Sequence, residues 1–177
     1  MNFDLGIATT RKPEYKDVEA IYCYRNDRDV YISLGGVSQG MSRANVEEWI
    51  KFHTHNDKDY VWVIVDKETD TCIGHLGLYK IDFRARKAEI GMAVAKKYWG
   101  NGIATKAFKE ILNYAFNELN LNRIETFNLK SNKKIIHLKE KLGFKIEGIL
   151  RETQFRDGKY QDQMVMAILK REYEAKI

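Results

Sequence analysis

The chain has 177 residues, 44% hydrophobic and 31% charged, and its net charge of +5 is scattered among acidic positions. That size suits one domain over residues 1–177 with its own core, and the balance is ordinary for a soluble globular protein. The nearest things to basic clusters, Lys130 with Lys133 and Lys134 and Arg84 with Arg86 and Lys87, form no coherent stripe, so nucleic acid is not an expected partner despite a pI near 9.0. Cys23 and Cys72 lack zinc or redox spacing, and no metal is expected. No apolar run reaches membrane-spanning length and the first ten residues lack a signal-peptide core, so the expectation is a cytoplasmic protein without a membrane partner.

A short strand is expected at about 5–10, then a helix near 14–25. The stretch 34–43, with Gly35, Gly36 and Gly40, reads as a flexible loop. A helix follows over about 44–55, with Val46, Trp49, Ile50 and His53 on one face. Strand patterns at 60–65, 72–81 and 87–95 are separated by short charged turns, which predicts an antiparallel meander. Beyond the loop Lys97-Tyr98-Trp99-Gly100-Asn101-Gly102, the residues Ala104, Ala107, Phe108, Ile111, Leu112, Ala115 and Leu119 recur at helical spacing. A strand at 123–129, a helix at 132–142 ended by Gly143, and strands at 149–155 and 160–169 complete the chain. Arg156-Asp157-Gly158-Lys159 is a hairpin signal between the last two. The expected fold class is α/β: an α+β arrangement around one mixed, mostly antiparallel sheet.

The strand–glycine loop–helix order at 89–119 carries the chemistry. A helix start leaves backbone N–H groups unpaired at the positive end of its dipole, and glycines let an anion approach them. The loop lacks the Walker pattern, and Thr105 stands where a dinucleotide fingerprint would place its third glycine. A pyrophosphate-bearing ligand other than a nucleoside triphosphate or NAD fits better.

Three patterns then resemble the GNAT superfamily of acyl-coenzyme-A-dependent N-acetyltransferases. They are Lys97-Tyr98-Trp99-Gly100-Asn101-Gly102, Asn132 twelve residues before Phe144 in K-L-G-F, and E-G-I-L-R-E from Glu147 continuing through D-G-K-Y-Q-D. The resemblance, to the branch with ribosomal-protein alanine and spermidine acetyltransferases, implies helices on both faces of the sheet and a parallel pair that splays. It implies acetyl-CoA as cosubstrate, its pyrophosphate on the loop Lys97, Tyr98, Trp99, Gly100, Asn101, Gly102, Ile103 and Ala104, its pantetheine along Met92, Ala93 and Val94. Asn132 would hold the same ligand or simply cap its helix.

Glu89 and His75 are the candidate bases, each weighed against an ordinary strand position. The branch's usual tyrosine, serine and glutamate are here Lys139, Ile135 and Gln154, with Lys139 read as a surface residue ahead of a thiolate-stabilising one. Neutralising a lysine-like amine at pH 7 costs about 4.6 kcal/mol and an α-amine about 1.4. Weak acid–base machinery therefore favours a protein α-amine or an amino sugar as acceptor, with spermidine second. A non-catalytic acyl-CoA sensor is the rival class. A small-molecule or peptide amine is the expected partner, and a homodimer is possible by analogy.

Overall fold

The computed structural model describes residues 2–34, 40–156 and 158–175. Residues 35–39 of the glycine-bearing loop expected at 34–43, and Asp157 of the expected hairpin turn, fall outside the described residues. The strands are β1 Ala8–Arg11, β2 Tyr60–Asp66, β3 Cys72–Asp82, β4 Lys87–Val94, β5 Arg123–Leu129, β6 Lys145–Arg156 and β7 Lys159–Leu169. The helices are α1 Val18–Asn26, α2 Arg28–Leu34, α3 Arg43–His55, α4 Ile103–Asn113, α5 Lys133–Leu142 and α6 Lys170–Glu174.

Among the described residues the strands form one sheet in the order β1-β2-β3-β4-β5-β7-β6. The expected meander is there: β2, β3 and β4 pair antiparallel in succession. β4 and β5 form the parallel pair, but they touch only where Lys87–Glu89 face Arg123–Glu125. Past Glu89 the pairing stops, and among the described residues the C-terminal half of β4 keeps one edge without a strand partner.

The period-2 alternation of β4 divides its side chains between two cores. Ala88, Ile90 and Val94 join the larger core with Trp62, Leu76, Phe108, Ile111 and Phe116, under α4. Ala93 faces the smaller core with Ile21, Tyr24, Val46 and Ile50, under α1 and α3. Helices thus cover both faces, as the fold class requires. Each fully buried side chain of this kind contributes about 1.5–3 kcal/mol against staying in water.

Three stretches differ from the sequence expectation. α2 had no periodic apolar pattern to reveal it; its start is held by Asp27 Oδ1, which accepts from the N–H groups of Asp29 and Val30. β6 begins four residues before the expected 149 and carries an irregular register between Leu150 and Gln154, with Glu152 at φ 55°. It is an edge strand with most side chains in water, so neither face shows a clean alternation. α6 is a single turn after the last strand. Among the described residues no helix is long and apolar enough to cross a membrane.

Candidate active site

The loop after β4 folds back on its own strand. Trp99 Nε1 donates to the carbonyl of Val94 at 2.7 Å, which pins the loop beside the diverging edge. Gly100 has φ 86° and Gly102, the residue before α4, φ 75°. Left-handed backbone costs a side-chain-bearing residue about 1–2 kcal/mol, so both positions favour glycine. A Cβ at either would meet nothing within 4 Å, so the space in front of the α4 N-terminus is open. Unpaired helix N–H groups facing open space form a site that an anion fits.

A cleft of about 500 Å³ runs from this helix start along the free edge of β4 to α5. Of the residues expected to hold the cofactor, Met92, Ala93, Val94, Tyr98, Trp99, Gly100, Gly102, Ile103, Ala104 and Asn132 line it. Lys97 and Asn101 do not; the Lys97 ammonium lies over the Tyr98 ring, 4.8 Å from its centroid. Asn132 keeps both of its expected roles open. Its Oδ1 caps α5 by accepting from Ile135 N–H, and its Nδ2 reaches the Ser33 carbonyl at 3.5 Å while the residue lines the cleft.

A second cavity opens on the opposite face of the sheet, lined by Arg25, Tyr31, Trp49, His75, Tyr79 and Met92 among others. Met92 lines both, so the cavities meet there. Gly77 and Gly91 are cross-strand partners, and a Cβ on either would press on the Tyr79 ring, at 2.7 and 3.1 Å. Their absence of side chain lets that ring lie along the sheet as a wall of the cavity.

His75 sits opposite Ala93 on the neighbouring strand, which brings it to this junction. It is buried, stacked on Tyr24 and edge-on to Trp49, with the Tyr24 hydroxyl 2.8 Å from Nδ1. Burial holds the imidazole well below its ordinary pKa, helped by the nearby Arg25 cation, and so keeps it neutral. Glu89 is elsewhere. It accepts an ion pair from Lys80 Nζ at 2.8 Å, lines neither cavity, and precedes Ala93 by four residues, about 13 Å along the strand.

Lys139 corrects a sequence expectation: it is not a surface residue but 4% exposed. α5 turns this side chain inward, where Nζ donates to Thr126 Oγ1 and Asn128 Oδ1 and lies over Phe108. Burial alone lowers its pKa to about 7. Sequence reasoning also left Tyr24, Arg25 and Tyr79 unassigned; the adjacency of Tyr24 and Arg25 on a predicted helix gave no sign that they flank His75.

A helix N-terminus open to an anion, beside a strand edge freed by splaying, is the arrangement of an acyl-coenzyme-A-dependent transferase. A family model described as an acetyltransferase (GNAT) domain matches residues 9–145, and the chain belongs to that family of acetyl-CoA-using N-acetyltransferases. Similar proteins include the uncharacterized N-acetyltransferase p20 of Bacillus licheniformis, 32% identical over 93% of this chain and 94% of its own length. The spermidine N(1)-acetyltransferase of Vibrio cholerae is 32% identical over 93% of this chain and 94% of its own. A crystal structure of spermidine N-acetyltransferase from Vibrio cholerae with CoA and spermine matches with a TM-score of 0.87 at 31% identity, over 95% of this chain and 98% of that one.

Proposed function

We propose that this protein transfers the acetyl group of acetyl-CoA to a primary amine of a polyamine such as spermidine, by direct attack while both are bound. The observation that carries the reading is the junction at Met92, where a cofactor-shaped cleft and a second cavity meet through the sheet. The likeness to spermidine acetyltransferases along nearly the whole chain supports the polyamine as acceptor. This reverses the order in which the sequence alone ranked the acceptors.

Acetyl-CoA supplies the electrophilic thioester. The N–H groups at the start of α4, presented by Gly100, Gly102, Ile103 and Ala104, would hold its pyrophosphate. The free edge of Met92, Ala93 and Val94 would pair with its pantetheine arm. A backbone N–H of that edge would face the thioester oxygen as it gains charge, a contribution that elsewhere is worth about 3–4 kcal/mol. A polyamine amine is cationic at pH 7, and neutralising it costs about 4.6 kcal/mol. His75, neutral and at the junction, is the base this geometry supports. It can accept a proton at Nε2 only as the tautomer whose Nδ1–H donates to the Tyr24 oxygen. Glu89, tied to Lys80, keeps at most a role at the rim.

One observation favours a second acceptor class. Among the described residues lining the second cavity, the formal charge comes from Arg25, and none is a carboxylate. An amine that also carries an anionic group, such as an amino sugar phosphate, would suit that lining. A thiol-release assay over spermidine, N-terminal peptides and amino-sugar phosphates separates the readings. Spermidine is expected to give the highest kcat/KM; a clear preference for the anionic amines would transfer the assignment to the second class.

A further inference from the structure

Two glycines inside the sheet make room for one tyrosine. Gly77 and Gly91 are cross-strand partners, and neither has a positive φ, so backbone angle requires glycine at neither. Glycine in a strand interior weakens the strand. What requires both is the Tyr79 ring. A Cβ on Gly77 would lie 2.7 Å from Tyr79 Cζ and 2.8 Å from Oη, and a Cβ on Gly91 3.1 Å from Cε2. The side chain is thus folded back along β3, with its hydroxyl over Gly77.

That posture points the hydroxyl toward His75. His75, Gly77 and Tyr79 alternate onto one face of β3, so the phenol oxygen stops two residues short of the histidine, about 7 Å along the strand. Both side chains line the second cavity. Among the described residues the Tyr79 hydroxyl has no hydrogen-bond partner and is not sealed from the cavity. The same holds for His75 Nε2, because the Tyr24 contact takes Nδ1. A tyrosine hydroxyl this far inside a protein usually has a partner, and phenylalanine would cover the glycines equally well. The oxygen is therefore what needs a reason. Burial pushes the phenol pKa up, which keeps the group protonated and uncharged, with lone pairs free to accept. With Nδ1–H donating to Tyr24, Nε2 is an acceptor as well. The cavity so presents two separated acceptors, and no carboxylate among its described residues, to one donor-rich group. A protonated primary amine, with three N–H donors, is such a group. Ala93 opposite His75 and Gly91 opposite Gly77 leave the way from these acceptors to the cofactor edge clear of bulky side chains.

We propose that Tyr79 is an acceptor-binding residue: its phenol oxygen takes one N–H of the entering amine while His75 Nε2 takes another. The nitrogen is then held between the two, beside the Met92–Ala93 edge. Tyr79 keeps its proton throughout and makes no covalent bond. This inference deepens the reading of the second cavity as the acceptor site and rests on it. It concerns the amine group alone, so it holds whatever else the acceptor carries.

Tyr79→Phe removes one oxygen and leaves the ring on its glycines, so the fold is expected to persist, which a thermal melt checks. Spermidine, N-terminal peptides and amino-sugar phosphates are screened by thiol release with wild type, and the best acceptor is carried forward. At saturating acetyl-CoA its KM is expected to rise about tenfold in Tyr79→Phe, as for loss of one hydrogen bond from a charged donor, with kcat within about twofold. Calorimetric titration of the same acceptor into the CoA-loaded protein, where no transfer occurs, should show the same weakening, while CoA binds both proteins alike. The pH profile of kcat/KM should keep its shape, because the phenol does not titrate in the working range. Equal KM and equal affinity in wild type and variant overturn the proposal, since phenylalanine then serves as well as tyrosine. A loss confined to kcat, or a missing limb of the pH profile, also overturns it, by making Tyr79 a proton carrier. If no amine in the panel releases thiol or binds the CoA complex, the acceptor-site reading falls and this inference with it; turnover indifferent to the hydroxyl condemns the Tyr79 role alone.

Discussion

The hydroxyl of Tyr24 and Nδ1 of His75 are 2.8 Å apart, in a stack buried beneath Trp49 at the meeting point of two cavities. That contact selects which ring nitrogen can act. Replacing His75 by Gln should lower kcat by about 10²–10⁴, the range for loss of a general base, while the KM for acetyl-CoA stays unchanged. Tyr24→Phe removes only the partner of Nδ1 and should cost kcat about tenfold, together with about 1–3 kcal/mol of stability from the unpaired buried nitrogen. Steady-state kinetics on both variants, with denaturant melts alongside, check this pair. Unaltered kcat in His75→Gln would remove the histidine from the chemistry.

The same imidazole makes stability depend on pH. Its folded pKa lies well below the ordinary value, so between that ordinary value, about 6.5, and the lower folded one the unfolded chain binds a proton that the native protein refuses. Stability is therefore full above about pH 6.5 and falls as the solution is acidified through that window. In His75→Gln the acid-side slope of Tm against pH should be visibly shallower than in wild type. Parallel slopes would mean that the buried ring is solvated after all.

Gly100 and Gly102 are demanded by backbone angle and by what enters, since neither would clash with a Cβ. Alanine at either position should therefore cost about 1–2 kcal/mol of stability for the positive φ. Aspartate adds a carboxylate in front of the α4 N–H groups, where the cofactor pyrophosphate is proposed to lie. Like charges about 4 Å apart near a surface repel by several kcal/mol, so CoA affinity should drop more than tenfold in Gly102→Asp. Calorimetric titration of CoA into the folded variant measures it; unchanged affinity would place the pyrophosphate elsewhere.

Much of this was legible in the residues. The glycine loop, the meander and α4 were readable because each rests on local rules: φ > 0 for glycine, period 2 for a half-buried strand, period 3.6 for one apolar face. Asn132 and Gly143 announced both ends of α5 through cap chemistry. Lys139 was misread because its burial depends on contacts with Thr126, Asn128 and Phe108. Those contacts lie far off along the chain, and lysine composition argues for the surface. The second cavity was illegible for a related reason. Tyr24, His75 and Gly91 come from three elements, and their meeting depends on strand register that no local pattern sets.

Lys139 also predicts an unusual alkaline behaviour. Its folded pKa is about 7 against an ordinary 10.5, so between these values the unfolded chain holds a proton that the native protein has shed. Stability should rise with pH across that window and be flat below it. At ~1.36 kcal/mol per unit, the span amounts to several kcal/mol, on the order of 3–5. Lys139→Met lacks the window, so its Tm relative to wild type should fall by about 6–15 °C between pH 7 and pH 10. The two acceptors stranded in the variant cost the same at both pH values and cancel from the comparison. A constant Tm difference would mean that the amine stays charged when buried.

Arg25 offers the sharpest separation of acceptor classes. Its guanidinium lines the second cavity and lies close enough to His75 to depress the imidazole further. A polyamine brings extra cations past this side chain, and two unit charges a few ångströms apart repel by about 1 kcal/mol in water and more at a surface. Removing the charge in Arg25→Gln should therefore raise kcat/KM for spermidine about three- to tenfold, mostly through KM, and the gain should shrink as salt screens the field. The His75 pKa should rise in the same variant, moving the acid limb of the rate profile upward. An anionic amine would respond in the opposite direction, since its partner has been taken away. Parallel assays of wild type and Arg25→Gln at low and high salt decide the matter: a fall in spermidine turnover would show Arg25 holding an acceptor anion and end the polyamine assignment.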